Sequence, residues 1–207
     1  MFGVVMLEER RTQAERTATM KARLLEATFE CLAEVGYAGT TTTEVARRAG
    51  VSRGAQLHHF PTKADLVIAA HEHVLARRRG EFLEAFAALP PEEQTQSGAL
   101  GLLWRLYQGP AFAAWLELAV AARTDPELHR RFLDAERKYW ESVVTATTAI
   151  FPEVADQGSA VMSEFGFALL DGLALQKAVG MGSDHDEIVE MLQALSGMFM
   201  PPAGGQP

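Results

Sequence analysis

The sequence predicts an all-α protein in which a small three-helix head is joined through one long helix to a larger helical body. Three observations carry this. Ala, Leu, Glu and Arg at helical spacing dominate, while alternation of β-branched residues never lasts beyond a few positions. Start and stop signals for helices recur along the chain, in the form of Thr, Ser and Asp caps and closing glycines. With 207 residues, 48% of them hydrophobic, the chain can fill a substantial core, which excludes disorder as its general state.

The elements follow in order. Residues 1–12 are expected to form a flexible arm. The first helix should cover Gln13 to Val35, where Leu24, Thr28, Cys31, Leu32 and Val35 recur at the spacing of a buried stripe. Gly36 ends it. Thr41 stands three residues before Glu44, the spacing of a capping box in which each side chain satisfies a free amide at the helix start, so a second helix begins at Thr42. Gly50 can take the left-handed conformation that closes it, and Ser52 is placed to cap a third helix over Arg53 to His59. Pro61 breaks that helix, and Lys63 opens a long fourth one reaching about Ala88. Pro90-Pro91 punctuates the chain before a helix over Glu92 to Tyr107, and Gly109-Pro110 precedes an apolar helix from Ala111 to Ala122. Asp125-Pro126-Glu127 combines a cap, a proline at the first helical position and a first-turn acid, which opens a helix to about Ile150. FPEVADQG should be a loop. Ser159 to Val179 is helical, Gly180 and Gly182 interrupt, and Asp184 caps a last helix ending near Met200. Residues 201–207, PPAGGQP, are expected to be a disordered tail.

Charge is distributed unevenly. Residues 1–80 carry 12 Lys and Arg against 9 Asp and Glu, together with His58, His59, His71 and His73, whereas the remainder carries 7 against 18. A polyanion would be repelled by the second part and tolerated by the first, so nucleic-acid contact is expected at the N-terminal end. Glu117, Arg123, Glu164 and Asp171 interrupt the apolar segments, and no run approaches the roughly 20 residues of a membrane span. The start, MFGVVMLEERR, lacks the basic region of a secretory signal, and the lone Cys31 cannot form an internal disulfide; a cytoplasmic location is expected.

Chemistry-bearing constellations are scarce. His58 and His59 are neighbours about 100° apart on a helix, whereas metal pairs need i, i+3 or i+4 spacing to converge. His71-Glu72-His73 lacks the spacing of a metalloprotease helix, His129 and His185 stand alone, and Cys31 falls in an apolar stripe. There is no glycine-rich phosphate loop. An enzyme, a metal site or a cofactor is therefore not expected. The informative pattern is instead two short helices joined by a tight turn, with Ala46 in the first and Gly50 four residues later. This is the signature of a helix-turn-helix. Val45, Ala49 and Val51 hold the pair, which frees one face of the third helix for a major groove. Arg53 at its start can reach guanine edges or phosphate. Thr42 and Thr43, in the first turn of the preceding helix, can meet phosphate oxygens, and Lys63 points toward the same backbone.

The segment GYAGTTTTEVARRAGVSRGAQLHHFPTKADL resembles the DNA-binding part of the TetR family of bacterial transcriptional regulators, over roughly residues 16 to 75. Gly36-Tyr37, the threonine cluster, Val45-Ala46, Ala49-Gly50-Val51-Ser52, Gly54, His58, Phe60 and Lys63 fall in register. The resemblance implies a homodimer whose head, residues 13–62, binds a roughly palindromic double-stranded DNA operator through Thr41, Thr42, Thr43, Arg53, Gly54, Ala55, Gln56, Leu57, His58, His59 and Lys63. It implies a body, residues 63–200, that binds a small-molecule effector and pairs with its mate through the last two helices. The expected function is a ligand-responsive regulator, with repression relieved by the effector. This chain departs from the family at Gln56-Leu57, where members place an apolar residue then tyrosine. Gln56 either fills the interior with its amide bonded locally or faces the groove, where glutamine can read adenine.

In the body, Trp104, Tyr107, Phe112, Trp115, Phe132, Trp140 and Phe165 are candidates to line an effector site. Glu117 joins them, because a carboxylate within AFAAWLELAVAA is costly unless it faces a ligand or pairs with a cation such as Arg105 or Arg123. The last two helices are apolar on more than one face and need partners on two sides. The rival readings are a metal-binding helical enzyme and a helical protein-interaction module.

Overall fold

A computed structural model describes residues 12–152, 159–182 and 184–199. The expected arm, apart from Thr12, and the expected tail lie outside the described residues. Among those described there are nine α-helices and no strand: α1 Gln13–Gly39, α2 Thr42–Ala49, α3 Arg53–His59, α4 Lys63–Ala87, α5 Gln96–Tyr107, α6 Pro110–Ala122, α7 Pro126–Ile150, α8 Ser159–Ala178 and α9 His185–Phe199.

The caps fall where local chemistry placed them. Thr12 and Glu15 form a reciprocal capping box at α1, as Thr62 and Asp65 do at α4. Gly36 interrupts α1 with φ 68° and ψ 179°, and one further turn carries the helix to Gly39. Gly50 closes α2 in the left-handed conformation, and Asp125 accepts from the amides of Glu127 and Leu128 at the start of α7. Three expectations need correction. Val35 is 49% exposed rather than part of the α1 stripe, because the chain leaves regular helix at the next residue. The helix expected from Glu92 is a short 3-10 turn, Pro91–Glu93, followed by α5 only from Gln96, since Thr95 supplies the cap. At Thr41, half of the expected capping box forms: the hydroxyl accepts from the Glu44 amide, but the Glu44 carboxylate is drawn to Arg47 and Arg48.

Four apolar clusters run through the molecule. Leu24, Cys31, Val45, Ala49, Phe60 and Leu66 hold α1 to α4 together at the head. Leu32, Val67, Ile68, Leu118, Leu128 and Phe132 fasten α1 and α4 to α6 and α7. The far end is filled by Trp104, Tyr107, Phe112, Leu170 and Val189, with Phe86, Ala99, Leu102 and Phe151 beside it. Helix α4 belongs to both ends, and its polar side chains tie it to its neighbours. Glu26 of α1 takes Arg77 (2.6 Å) and His73 (2.8 Å) from α4, while Glu136 of α7 takes His71 of α4 at 2.6 Å.

Candidate nucleic-acid interface and effector cavity

The turn between α2 and α3 is built from backbone requirements. Gly50 donates its N–H to the carbonyls of Ala46 and Arg47, and Val51 donates to Ala46. Ser52 then caps α3 by accepting from the Ala55 amide at 3.2 Å. Glu44 binds both Arg47 and Arg48, and Arg48 also reaches Glu34 of α1 at 2.7 Å. The bonds from Arg47 and then Arg48 hold the Glu44 carboxyl down to about 2.

This geometry sorts the eleven candidate DNA contacts. Thr41, Thr43, Arg53, Gly54, Leu57 and His58 are exposed, and Thr42, Ala55 and His59 are half-buried. Gln56 is fully buried, and its side-chain amide donates to the Phe60 carbonyl at 2.7 Å. Of the two alternatives left open for Gln56, the structure shows the interior one, with the amide bonded locally. Leu57, 41% exposed, faces outward instead. Lys63 is half-buried and turned to the end of α1. Its ammonium donates to the Tyr37 carbonyl and lies 4.0 Å from the centre of the Tyr37 ring, because the non-helical end of α1 presents both a free carbonyl and an aromatic face. Burial pushes the Lys63 amine below its ordinary value. The sequence reading missed the basic residues of α1. The Arg23 guanidinium lies against Gly50, and Lys21 is close enough to depress the His59 imidazole, after burial and the neighbouring His58. The signal was the run of Arg16, Lys21 and Arg23 in one helix.

Gln56→Ala is expected to lower the stability of the head by about 1–3 kcal/mol while leaving base preference unchanged, because it opens a cavity and frees the Phe60 carbonyl. Among the described residues its Oε1 already lacks a hydrogen bond, which holds the cost down. Leu57→Ala should do the reverse, weakening DNA binding at constant melting temperature. Thermal melts alongside binding to a panel of single-base operator variants separate the two; altered base preference in the Gln56 variant would contradict its interior role.

Behind α4, a cavity of about 1160 Å³ lies among α4 to α9. Of the eight effector candidates, Tyr107, Phe112, Trp115, Trp140 and Phe165 line it. Trp104, Phe132 and Glu117 do not. Trp104 is buried and donates its indole N–H to Asp186 at 2.6 Å, which docks α9 on α5. Phe132 is core, stacked on His71. Glu117 is exposed and accepts the backbone N–H of Tyr37 at 3.1 Å; it pairs with neither Arg105 nor Arg123. The backbone of Tyr37 is thus held on its N–H by α6 and on its carbonyl by α4. The cavity's carboxylates are Glu136, Glu164 and Asp171. Asp171 of α8, an acid within the apolar run FALLDGLAL, was not singled out as a site residue from the sequence. Burial, then the charge of Glu136, raises the Asp171 carboxyl, against the pull of Tyr107 and Arg78.

No helix among the described residues is long and apolar enough to cross a membrane, and no three of their His, Cys, Asp or Glu side chains gather as a metal site. The family described as bacterial regulatory proteins, tetR family, matches residues 24–70, which covers most of α1 through the first part of α4. An uncharacterized HTH-type transcriptional regulator of Mycobacterium tuberculosis is 35% identical over 148 residues, 69% of this chain and 76% of that protein. Among solved structures, FadR from Bacillus subtilis in complex with stearoyl-CoA superposes with a TM-score of 0.64 at 17% identity, covering 84% of this chain and 96% of that one. A regulator from Saccharomonospora viridis in complex with choline also gives 0.64, at 18% identity over 87% and 96% of the two chains. Together with an exposed recognition helix on an all-helical frame, this places the chain in the TetR family of DNA-binding transcriptional regulators.

Proposed function

We propose that residues 13–62 form the DNA-reading head and residues 63–200 the effector and dimerisation body of a homodimeric repressor, released from its operator when a small molecule fills the cavity. The observation that carries this is the reach of α4. Its first residue, Lys63, is bonded to the head at Tyr37, and its later turns, through Leu75, Arg78, Arg79 and Phe82, form one wall of the cavity. A ligand that fits one placement of that wall better than another shifts the head, because it can act only through differential affinity for the two forms. Solved proteins of this fold hold stearoyl-CoA or choline, which supports a ligand-holding body.

Dimerisation is supported by an apolar seam. In α8, Val161, Phe165, Ala168, Gly172 and Leu175 recur at alternating steps of four and three, Val179 follows just past its end, and all are exposed; Ile188, Met191 and Leu195 keep the same steps in α9. Such a seam on a monomer calls for a partner helix. A twofold dimer would set two α3 helices in successive major grooves, about 34–36 Å apart. The exposed contacts would be Thr41, Thr43, Arg53, Gly54, Leu57 and His58, flanked by Lys21 and Arg23.

Selection of bound sites from random duplex DNA should return a pseudo-palindrome with half-sites about one helical turn apart. Arg53→Ala should relax the preference at particular bases within each half-site by about 1–3 kcal/mol. Failure to retard any duplex at about 50 mM salt, where phosphate contacts are strongest, would instead favour a protein-interaction module.

A further inference from the structure

The ionisable groups of the cavity are sorted by depth. Arg79, Arg137 and Glu164 are exposed, and Arg137 is already paired with Asp134. Deeper in, the charged lining is Arg78, Glu136 and Asp171. Arg78 donates to the Leu106 carbonyl at 3.1 Å and covers the Tyr107 ring, so the one arginine of the deeper lining is committed, and the imidazole of His71 meets only one of the two carboxylates. Glu136 places one oxygen, Oε1, between His71 (2.6 Å) and the Trp115 indole (3.3 Å); among the described residues no hydrogen bond reaches the other. Asp171 is within reach of the Tyr107 hydroxyl and feels the charge of Glu136.

The aromatic side chains join these two acids. Trp115 stacks on Phe112 at 5.6 Å, Phe112 meets Tyr107 at 6.0 Å, Tyr107 meets Phe167 at 6.2 Å, and Trp140 stands edge-on to Phe167 at 5.6 Å. One continuous wall of rings therefore runs from the partner of Glu136 past the partner of Asp171. Ring faces carry negative potential and attract cations, most strongly where water is excluded. An apolar tail laid along this wall would strand both carboxylates in a dry site, and a bound carboxylate would repel them. A cation answers both costs at once.

We propose that the effector is a lipophilic organic cation, an alkyl- or arylammonium ion, whose charged centre lies between Glu136 and Asp171 and whose apolar body lies along the ring wall. The inference rests on the reading of this cavity as the effector site. It also gives Glu136 two duties, since the carboxylate that meets the cation is the one that holds His71 of α4.

The test uses the full chain and three probes of equal chain length, decyltrimethylammonium, decanoate and decanol, the two ions below their micellar concentrations and the alcohol below its solubility limit. Binding is followed by calorimetry and by quenching of tryptophan fluorescence, Trp115 and Trp140 being in the cavity wall. Decyltrimethylammonium should bind about tenfold tighter than decanoate. Glu136→Gln and Asp171→Asn should each remove roughly tenfold of that cation affinity and change decanol binding by less than about twofold. Decanoate binding as tightly as the cation would overturn the assignment of ligand class and leave the cavity reading intact. Cation affinity unmoved by both substitutions would overturn the role of the two carboxylates. Binding of none of the three would remove the cavity reading itself, and this inference with it.

Discussion

Replacing Leu175 and Met191 together with glutamate is expected to yield a folded monomer and to lower operator affinity by roughly 10²–10⁴-fold, the loss that follows when two linked heads no longer bind as one unit. Both side chains are exposed, on α8 and α9, and neither lines the cavity, so the substitutions leave the core and the cavity untouched. Phe165 and Leu195 sit on the same seam but also border the cavity, which makes them poor probes of pairing alone. Light scattering gives the oligomeric state, circular dichroism the helical content, and titration against a whole operator and a single half-site the affinity. Half-site binding should be weak and nearly equal for the two proteins. A variant that stays dimeric with full operator affinity would place the twofold contact elsewhere and leave the apolar seam without this role.

The distance between an interaction and its cause in the chain separates what was legible in the sequence from what was not. Thr41, Gly50, Ser52 and Asp125 act on amides and carbonyls a few residues away, so the ends of α2, α3 and α7 could be placed from local chemistry alone. The stripe of Leu24, Thr28, Cys31 and Leu32 was equally local, because helical periodicity states which face is buried. Partners of long side chains are different. Lys63 turned to Tyr37, 26 positions back, Glu117 to the same residue 80 positions back, and His71 to Glu136, 65 positions ahead. Nothing within a helical window specifies such pairings, since each depends on which helices the tertiary fold sets side by side. The same limit explains the cavity. Tyr107, Phe112, Trp115 and Trp140 were foreseeable as inward-facing, yet Glu136 lies on a mixed, charged stretch of α7 with nothing in its neighbours to set it apart. The orientation of Gln56 was undecided for a related reason: a seven-residue helix has too few turns for its buried face to be read from periodicity, and the core behind it decides.

Gly36→Ala is expected to destabilise the protein by about 2–4 kcal/mol, a fall in melting temperature of roughly 5–15 °C for a chain of this size. Two independent costs add. At φ 68° and ψ 179° the backbone occupies a region that only glycine enters freely. A methyl group at this position would also overlap the Glu117 carboxylate, which cannot withdraw without giving up the Tyr37 amide. A double-mutant cycle with Glu117→Ala separates them. Removing the carboxylate abolishes the overlap but leaves the dihedral strain, so the pair should recover part of the loss, with a coupling of about 1–2 kcal/mol. Full recovery would mean that the backbone bears alanine without strain. No recovery would mean that the carboxylate moves aside at no cost, and then the Glu117 to Tyr37 bond could not be what holds α6 to the end of α1. Partial recovery would leave Tyr37 as the point where the head is gripped from both sides, by α6 on its amide and by α4 on its carbonyl, so that any shift of either helix is felt at the DNA-reading end.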